Sequence, residues 1–388
     1  MAAARRTRIL IVDDSAVMRS LLRAVVHVDP ALEVAGTAAD GASALSLIET
    51  VRPDLVLLDV EMPVMDGLVT LRRLRARGQR MPVIMCSALT QRGAKVTLEA
   101  LASGASDYVA KPTGQAGREA ASQTLSQDLL PKIHALTRQP RMPVAPLPQL
   151  LPQPPQQPAP CSSRPPLILP VARPQRFQPI TASPAVVVIG VSTGGPAALD
   201  ILLPALPANF PLPVLIVQHM PELFTRLFAE RLNGRCQLPV REAADADTVR
   251  PGAIYIAKGN WHMEVVPAAR PGALHSLRLT QGPLENHCRP AVDVLFRSAA
   301  AAWASGVLAV VLTGMGSDGM LGARVIRENG GSVLAQDQPT SAVWGMPGAV
   351  TNAGLAHRVL PLNAIAPEIL RLAGRTHSEA RALRESVV

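Results

Sequence analysis

Aromatic side chains are nearly missing from this chain: five Phe, three Trp and two Tyr among 388 residues. Its cores must therefore be built mainly from Ala, Val, Leu and Ile, which suits parallel α/β packing. Cysteine is as scarce. Cys86, Cys161, Cys236 and Cys288 stand far apart, without metal-ligand spacing or a disulfide framework, so a reduced, cytoplasmic compartment is expected. The uncharged stretch 298–317 has the length of a membrane span, but Gly306 interrupts it before the β-branched run VLAVVLT. It reads as a helix end followed by a buried strand, with no direct membrane insertion. The apolar run 9–12 is too short for a signal peptide.

Acidic residues are absent between Asp128 and Asp200. Within that gap, 15 of the 45 residues from Pro140 to Pro184 are proline, so neither helix nor sheet forms there and the segment reads as an extended, solvated spacer. A proline-rich docking peptide is the alternative. The net charge of +9 gathers in the same region: residues 1–114 and 185–388 each carry +2, and 115–184 carry +5. No folded part has the basic footprint or helix-turn-helix pattern of a nucleic-acid domain, so nucleic acid is not an expected partner.

Both flanks alternate strands and helices. Before the spacer, short buried strands are predicted at 8–12, 32–37, 55–59, 83–87 and 107–109, with helices at 15–28, 41–50, 68–77 and 94–103, a five-stranded doubly wound pattern. After it, strands at 185–189, 214–218 and 307–313 alternate with helices at 196–206, 222–233, 292–304 and 321–329. Tyr255, Val265 and Leu277 lie in shorter alternating runs that read as antiparallel. The fold class is α/β, with two doubly wound parallel-sheet domains.

In such sheets ligands bind beyond the carboxyl ends of the strands. In the first domain Asp13, Asp14, Asp59, Ser87 and Lys111 all fall at those ends. Three carboxylates in one crevice invite a hard divalent cation, most simply Mg²⁺. One of them can then attack a phosphoryl group while metal and lysine neutralise the developing charge. Asp14 taken alone is equally a helix cap.

In the second domain AVVVIGVSTGG is a buried strand running into a glycine turn, with Ser192 in a G-x-S-x-G pattern. Backbone N–H groups at Thr193 and Gly194, and at Met315 in the later loop LTGMGSDG, are the candidate oxyanion support. A glycine turn after a strand also cradles phosphates, but the full dinucleotide pattern is missing. His219 ends the next strand and Asp318 follows another, giving the order Ser, His, Asp, unlike the Ser, Asp, His order of α/β-hydrolases. A strand-end histidine is also a common structural residue, Asp318 is also a plausible helix cap, and His262 and His287 are rival bases.

VDDSAVMR, LLDVEMPVMDG, SA and DYVAKP, over residues 7–113, resemble the receiver domain of two-component response regulators. The resemblance implies a flavodoxin-like fold, phosphorylation of Asp59, Mg²⁺ on Asp13, Asp14 and Asp59, phosphate sensing by Ser87 and Lys111, and an aromatic switch at Tyr108. IGVSTGG, VQHMP, FAERLN, YIAKGNWHMEV, RPAVDVLF, LTGMGSDG and WGMPGAV, within 184–373, resemble the protein-glutamate methylesterase domain of bacterial chemotaxis. That implies a Rossmann-like domain with Ser192, His219 and Asp318 as triad and no cofactor for the esterase. It further implies a chemotaxis-type histidine kinase and methylated chemoreceptors as partners, and hydrolysis of glutamate methyl esters with deamidation of glutamines. Where the family often has His-Arg-Pro, this chain has Cys288-Arg289-Pro290. The expected layout is a receiver at 1–125, linker at 126–183, catalytic domain at 184–376 and tail at 377–388. A non-flagellar chemosensory array and a non-catalytic receptor-binding adaptor are the competing readings.

Overall fold

The structure, a computed structural model, describes residues 5–88, 90–112, 118–137, 183–270 and 272–385. The first domain runs β1 (Thr7–Val12), α1 (Ala16–His27), β2 (Leu32–Ala38), α2 (Gly41–Val51), β3 (Leu55–Asp59), α3 (Gly67–Ala76), β4 (Val83–Ser87), α4 (Gln91–Ala102), β5 (Asp107–Ala110) and α5 (Arg118–Thr137). Its sheet has the order β2-β1-β3-β4-β5 and every pair is parallel. Helices cover both faces, so the central strands are apolar throughout: Ile9 to Val12 and Leu55 to Leu58 are all buried. The helices start where a short polar side chain can take an orphan N–H. Ser15, Asp40, Asp66 and Thr90 cap α1 to α4 in this way.

The second domain runs β6 (Val186–Val191), α6 (Gly195–Leu202), β7 (Val214–Gln218), α7 (Glu222–Asn233), β8 (Val240–Glu242), β9 (Ile254–Ile256), β10 (His262–Val266), β11 (Ser276–Thr280), α8 (Val292–Trp303), β12 (Val307–Val311), α9 (Met320–Glu328), β13 (Ser332–Gln336), α10 (Gly345–Asn352), β14 (Arg358–Leu360) and α11 (Leu362–Glu385). Its parallel sheet has the order β14-β13-β12-β6-β7-β9-β8. The chain leaves β6 to one side through β7 and returns on the other through β12, which makes β6 the strand at the switch point. The antiparallel expectation holds for Val265 and Leu277, which face each other in the β10–β11 hairpin. It fails for Tyr255, which lies in β9 of the parallel sheet. Its three-residue run was too short to show a period.

Helices cross two of the expected boundaries. Helix α5 continues past 125 to Thr137. Leu125, Leu129, Ile133 and Leu136 recur at helical spacing and are buried against the α1 side of the sheet. Likewise α11 runs through the boundary expected at 376, to Glu385. The rest of the expected linker, 138–182, lies outside the described residues.

The two domains touch. Helix α4 packs on α6 and α7, and Leu98, Leu101 and Tyr108 join Leu199, Leu202, Phe224 and Phe228 in one continuous apolar cluster. The Tyr108 ring stacks on Phe224 with centroids 4.6 Å apart and planes at 19°. Across the same seam the Thr193 hydroxyl donates to Asp107 Oδ2 at 2.6 Å, fully buried.

Candidate functional site: an acidic crevice and a serine turn

At the carboxyl ends of β1, β3 and β5, Asp13, Asp59 and Lys111 converge. Lys111 Nζ lies 2.8 Å from Asp13 Oδ2 and 2.7 Å from Asp59 Oδ2. Both carboxylates are buried. Asp14, more exposed, brings a third carboxylate, and one oxygen from each of the three lies within 4.8 Å of the others. Asp13 Oδ1 accepts from the Ser15 N–H, but Oδ2, despite its closeness to Lys111, receives no well-directed hydrogen bond. Three carboxylates sharing one lysine leave an excess of negative oxygen that suits an oxygen-loving cation, so the residues present fit Mg²⁺. Burial, helped by repulsion from Asp13, pushes the Asp59 carboxyl up to about 6 even though Lys111 pulls it down. For Lys111 burial acts downward, yet its two carboxylate partners raise it overall. Ser87, buried at the end of β4, turns its hydroxyl to the Ala88 carbonyl. Tyr108 points into the domain seam, and burial raises its phenol well above the ordinary value.

Ser192 follows β6 directly. The turn needs glycine at two places. A side chain at Gly190 would sit 2.3 Å from Val292 Cγ1, and Gly194 adopts φ +78° with Ala342 Cβ only 2.5 Å from where a Cβ would stand. The turn is tied down by Ser192 N–H to Thr313 O at 3.0 Å and Gly195 N–H to Ser192 O at 2.8 Å. Gln218 at the end of β7 donates from Nε2 to the carbonyls of both Ser192 and His219, at 3.0 and 3.1 Å. It links the neighbouring strand ends that carry the two side chains.

His219 Nε2 is 2.8 Å from Asp318 Oδ2. Asp318 is buried, and its carboxylate accepts from the Val292 and Asp293 N–H groups at 2.7 and 3.0 Å and from Asn286 Nδ2 at 2.9 Å. Ala291 gives α8 no side-chain cap, so Asp318 caps that helix from another segment and gains the helix N-terminus as a counter-charge. Burial alone would raise the Asp318 carboxyl, but His219 and the two backbone donors outweigh it and hold it below the usual value. Asp293 goes the opposite way, raised by burial and by Asp318. Asn286 bridges these two acids. Burial lowers the His219 imidazole, but Asp318 and Cys288 more than compensate and push it up to about 9. On its other nitrogen, Nδ1, His219 has Cys288 Sγ at 3.7 Å.

The rival histidines stand aside. His262 is buried between the Pro283 carbonyl and the Ala291 N–H, a structural position. His287 is exposed at the rim of the cavity that holds Ser192. That cavity, about 800 Å³, is lined by Ser192, Thr193, His219 and Met315 from the second domain and by Asp107, Tyr108, Asp128 and Lys132 from the first. Met315 thus lines the same cavity as Ser192 and His219, while Thr193 Oγ1 is spent on Asp107 and its carbonyl on Thr313. Sequence reasoning missed Gln218, Asn286, Asp293 and Asp107. Gln218 stood next to His219 in the quoted segment VQHMP, and Asp293 inside RPAVDVLF.

Residues 187–369 match the family model described as CheB methylesterase, and residues 9–121 match that of the response regulator receiver domain. A protein-glutamate methylesterase/protein-glutamine glutaminase of a Nocardioides species is 50% identical over 373 residues, covering 95% of this chain and 96% of that one. A protein of the same name from Trichodesmium erythraeum is 47% identical over 374 residues, covering 95% of this chain and 99% of its own. The chain belongs to the CheB methylesterase family. It is a hydrolase with a receiver domain fused ahead of it, and the G-x-S-x-G turn sits in a CheB-type sheet rather than an α/β-hydrolase one. No helix among the described residues is long and apolar enough to cross a membrane.

Proposed function

We propose that this CheB-family chain hydrolyses methyl esters of glutamate side chains on chemoreceptors, releasing methanol, and deamidates receptor glutamines with release of ammonia. The observation that carries the chemistry is the Asp318–His219 pair beside the serine turn. Asp318 accepts a hydrogen bond from the Nε2–H, which leaves the Nδ1 lone pair to take the Ser192 proton. Ser192 Oγ attacks the ester carbon, His219 returns the proton to the departing methoxide, and water then repeats the sequence on the acyl-serine to free the glutamate. Backbone N–H groups at Thr193, Gly194 and Met315 stabilise the oxyanion.

Regulation follows from who lines the cavity. Asp107, Tyr108, Asp128 and Lys132 of the receiver share it with Ser192, so a receptor helix cannot enter while the domains are docked. A chemotaxis-type histidine kinase supplies the phosphoryl group to Asp59. Asp13, Asp14 and Asp59 would hold Mg²⁺, which would supply charge neutralisation for that transfer. Ser87 and Lys111 then meet the phosphoryl oxygens, and Tyr108, stacked on Phe224, is placed to convey the change to the seam. The whole process takes place in the cytoplasm. The test is methanol release from methylated chemoreceptor membranes, with and without a small phosphodonor. Release that is stimulated by the donor and absent in Ser192→Ala supports the reading; release undiminished in that variant sinks it.

A further inference from the structure

The mechanism uses one nitrogen of His219 for Asp318 and the other for Ser192, and it leaves Cys288 without a task. Yet Cys288 Sγ faces the same Nδ1 lone pair at 3.7 Å. Two ligands of a tetrahedral zinc ion, one sulfur and one imidazole nitrogen, stand about 3.5 Å apart. An ion can therefore enter between these two atoms with almost no rearrangement. The imidazole is also already set for it. A carboxylate holding the far N–H of a histidine is the usual means by which metal sites fix the ring and its tautomer, and Asp318 does this here at 2.8 Å. Cys288 is equally fixed, since its N–H and carbonyl exchange hydrogen bonds with Glu285 at 2.9 and 3.1 Å. Ligand atoms from Cys288, His219 and Asp318 all lie within 4.8 Å of one another.

Access does not depend on the receiver. Cys288 and His219 also border a second, more open cleft of about 360 Å³, walled by Met220, Glu222, Asn260 and Arg289. Among the described residues none of the receiver lines it, so an ion reaches the pair from solvent while the domains are docked.

We propose that Cys288 and His219 form an inhibitory binding site for a soft divalent cation of the Zn²⁺ type, with solvent completing its coordination. Cys288 gives up its thiol proton and His219 any proton on Nδ1 to the medium; Sγ forms one bond to the metal and Nδ1 the second. The lone pair that serves Ser192 is then occupied and ester hydrolysis stops. The two cation sites of the chain sort ions by hardness: the all-oxygen crevice at Asp13, Asp14 and Asp59 favours Mg²⁺, and the sulfur–nitrogen pair favours Zn²⁺. Inhibition, though not binding, rests on the esterase reading above.

The test titrates the full chain with Cd²⁺, a spectroscopic substitute for zinc, in excess Mg²⁺ to keep the acidic crevice filled. One equivalent is expected to raise a thiolate-to-metal absorption band in the ultraviolet. The band should vanish in Cys288→Ala and Cys288→Ser and persist in Cys236→Ala. In parallel, Zn²⁺ should suppress methanol release by wild type, and Cys288→Ser should need at least about tenfold more zinc for the same suppression. A band that never forms, or that survives in both Cys288 variants, overturns the site. A Cys288-dependent band without loss of rate overturns the inhibition. Absence of methanol release from metal-free wild type overturns the esterase reading, and the cadmium band then decides the site alone.

Discussion

The acidic crevice and the serine turn occupy the same place in two sheets of the same kind, and they bury an aspartate in opposite ways. Asp59 sits against Asp13 with Lys111 as their shared counter-charge, and its carboxyl is pushed up to about 6. Asp318 sits equally deep but receives two backbone N–H groups, an Asn286 amide and His219, and is held below its ordinary value. Depth alone therefore does not set the state of a buried acid; the number of donors that meet it does. The crevice is short of positive partners, which suits the cation and phosphoryl receiver proposed there. Asp318 is saturated, which suits the orienting role proposed for it.

The largest effect that bears on this contrast is on rate. Ser192→Ala should lower methanol release by about 10³-fold or more, and His219→Ala nearly as much, because the two act as a unit. Near wild-type turnover in either variant removes the triad from the comparison. Asp318→Asn should cost about 10²- to 10⁴-fold in kcat.

Stability sharpens the contrast, because the two Asp→Asn changes should have opposite signs. Asp318, with its pKa lowered by folding, contributes stability above its unfolded value near 3.8 that is lost as pH falls through its folded value. Asp318→Asn should therefore destabilise the chain at pH 7, by about 2–3 kcal/mol given charged hydrogen bonds of this kind. Asp59, with its pKa raised, costs stability above about 6, and that cost disappears as pH falls from about 6 toward 3.8. Asp59→Asn should stabilise the metal-free protein at pH 7 by about 1 kcal/mol, and Mg²⁺ should stabilise wild type but not this variant. Denaturant midpoints at pH 7 and pH 5 decide both; equal signs would end the comparison.

The pH profile of the reaction is a third handle. His219 must be neutral to act as a base, so the rate should climb as pH rises toward about 9. Removing the Asp318 charge should move that limb to lower pH while the ceiling falls. A flat profile between pH 6.5 and 9 contradicts this. The smallest effect concerns the seam. Aromatic stacking contributes about 0.5–1.5 kcal/mol, so Phe224→Ala should raise the unphosphorylated rate by roughly 2- to 10-fold. An unchanged basal rate would mean that the Tyr108–Phe224 contact does not hold the receiver in place.

Much of this was legible in the chain itself. The placement of Ser192, His219 and Asp318 was legible because each follows a recognisable buried strand or glycine loop, and strand ends on one edge of a parallel sheet must meet. The convergence of Asp13, Asp59 and Lys111 was legible for the same reason. The full length of α5 was also written in Leu125, Leu129, Ile133 and Leu136, but Pro131 and the proline-rich stretch beyond disguised it. Asn286 was not legible, because its reach to Asp293 and Asp318 depends on a positive φ of 52° in a loop without periodicity. Nor were Asp107–Thr193 and Tyr108–Phe224. A contact between two separately folded surfaces leaves no repeat in either one.

The apolar cluster that runs unbroken from Leu98, Leu101 and Tyr108 to Leu199, Phe224 and Phe228 has a calorimetric consequence. Each domain completes part of its core with side chains of the other, so neither can melt without exposing its neighbour's surface. The resting chain should absorb heat in a single cooperative transition despite containing two sheets. On the regulation proposed above, phosphorylation of Asp59 parts the seam and removes that coupling, so the one peak should resolve into two. The signalling state of this protein is then written in how many times it melts.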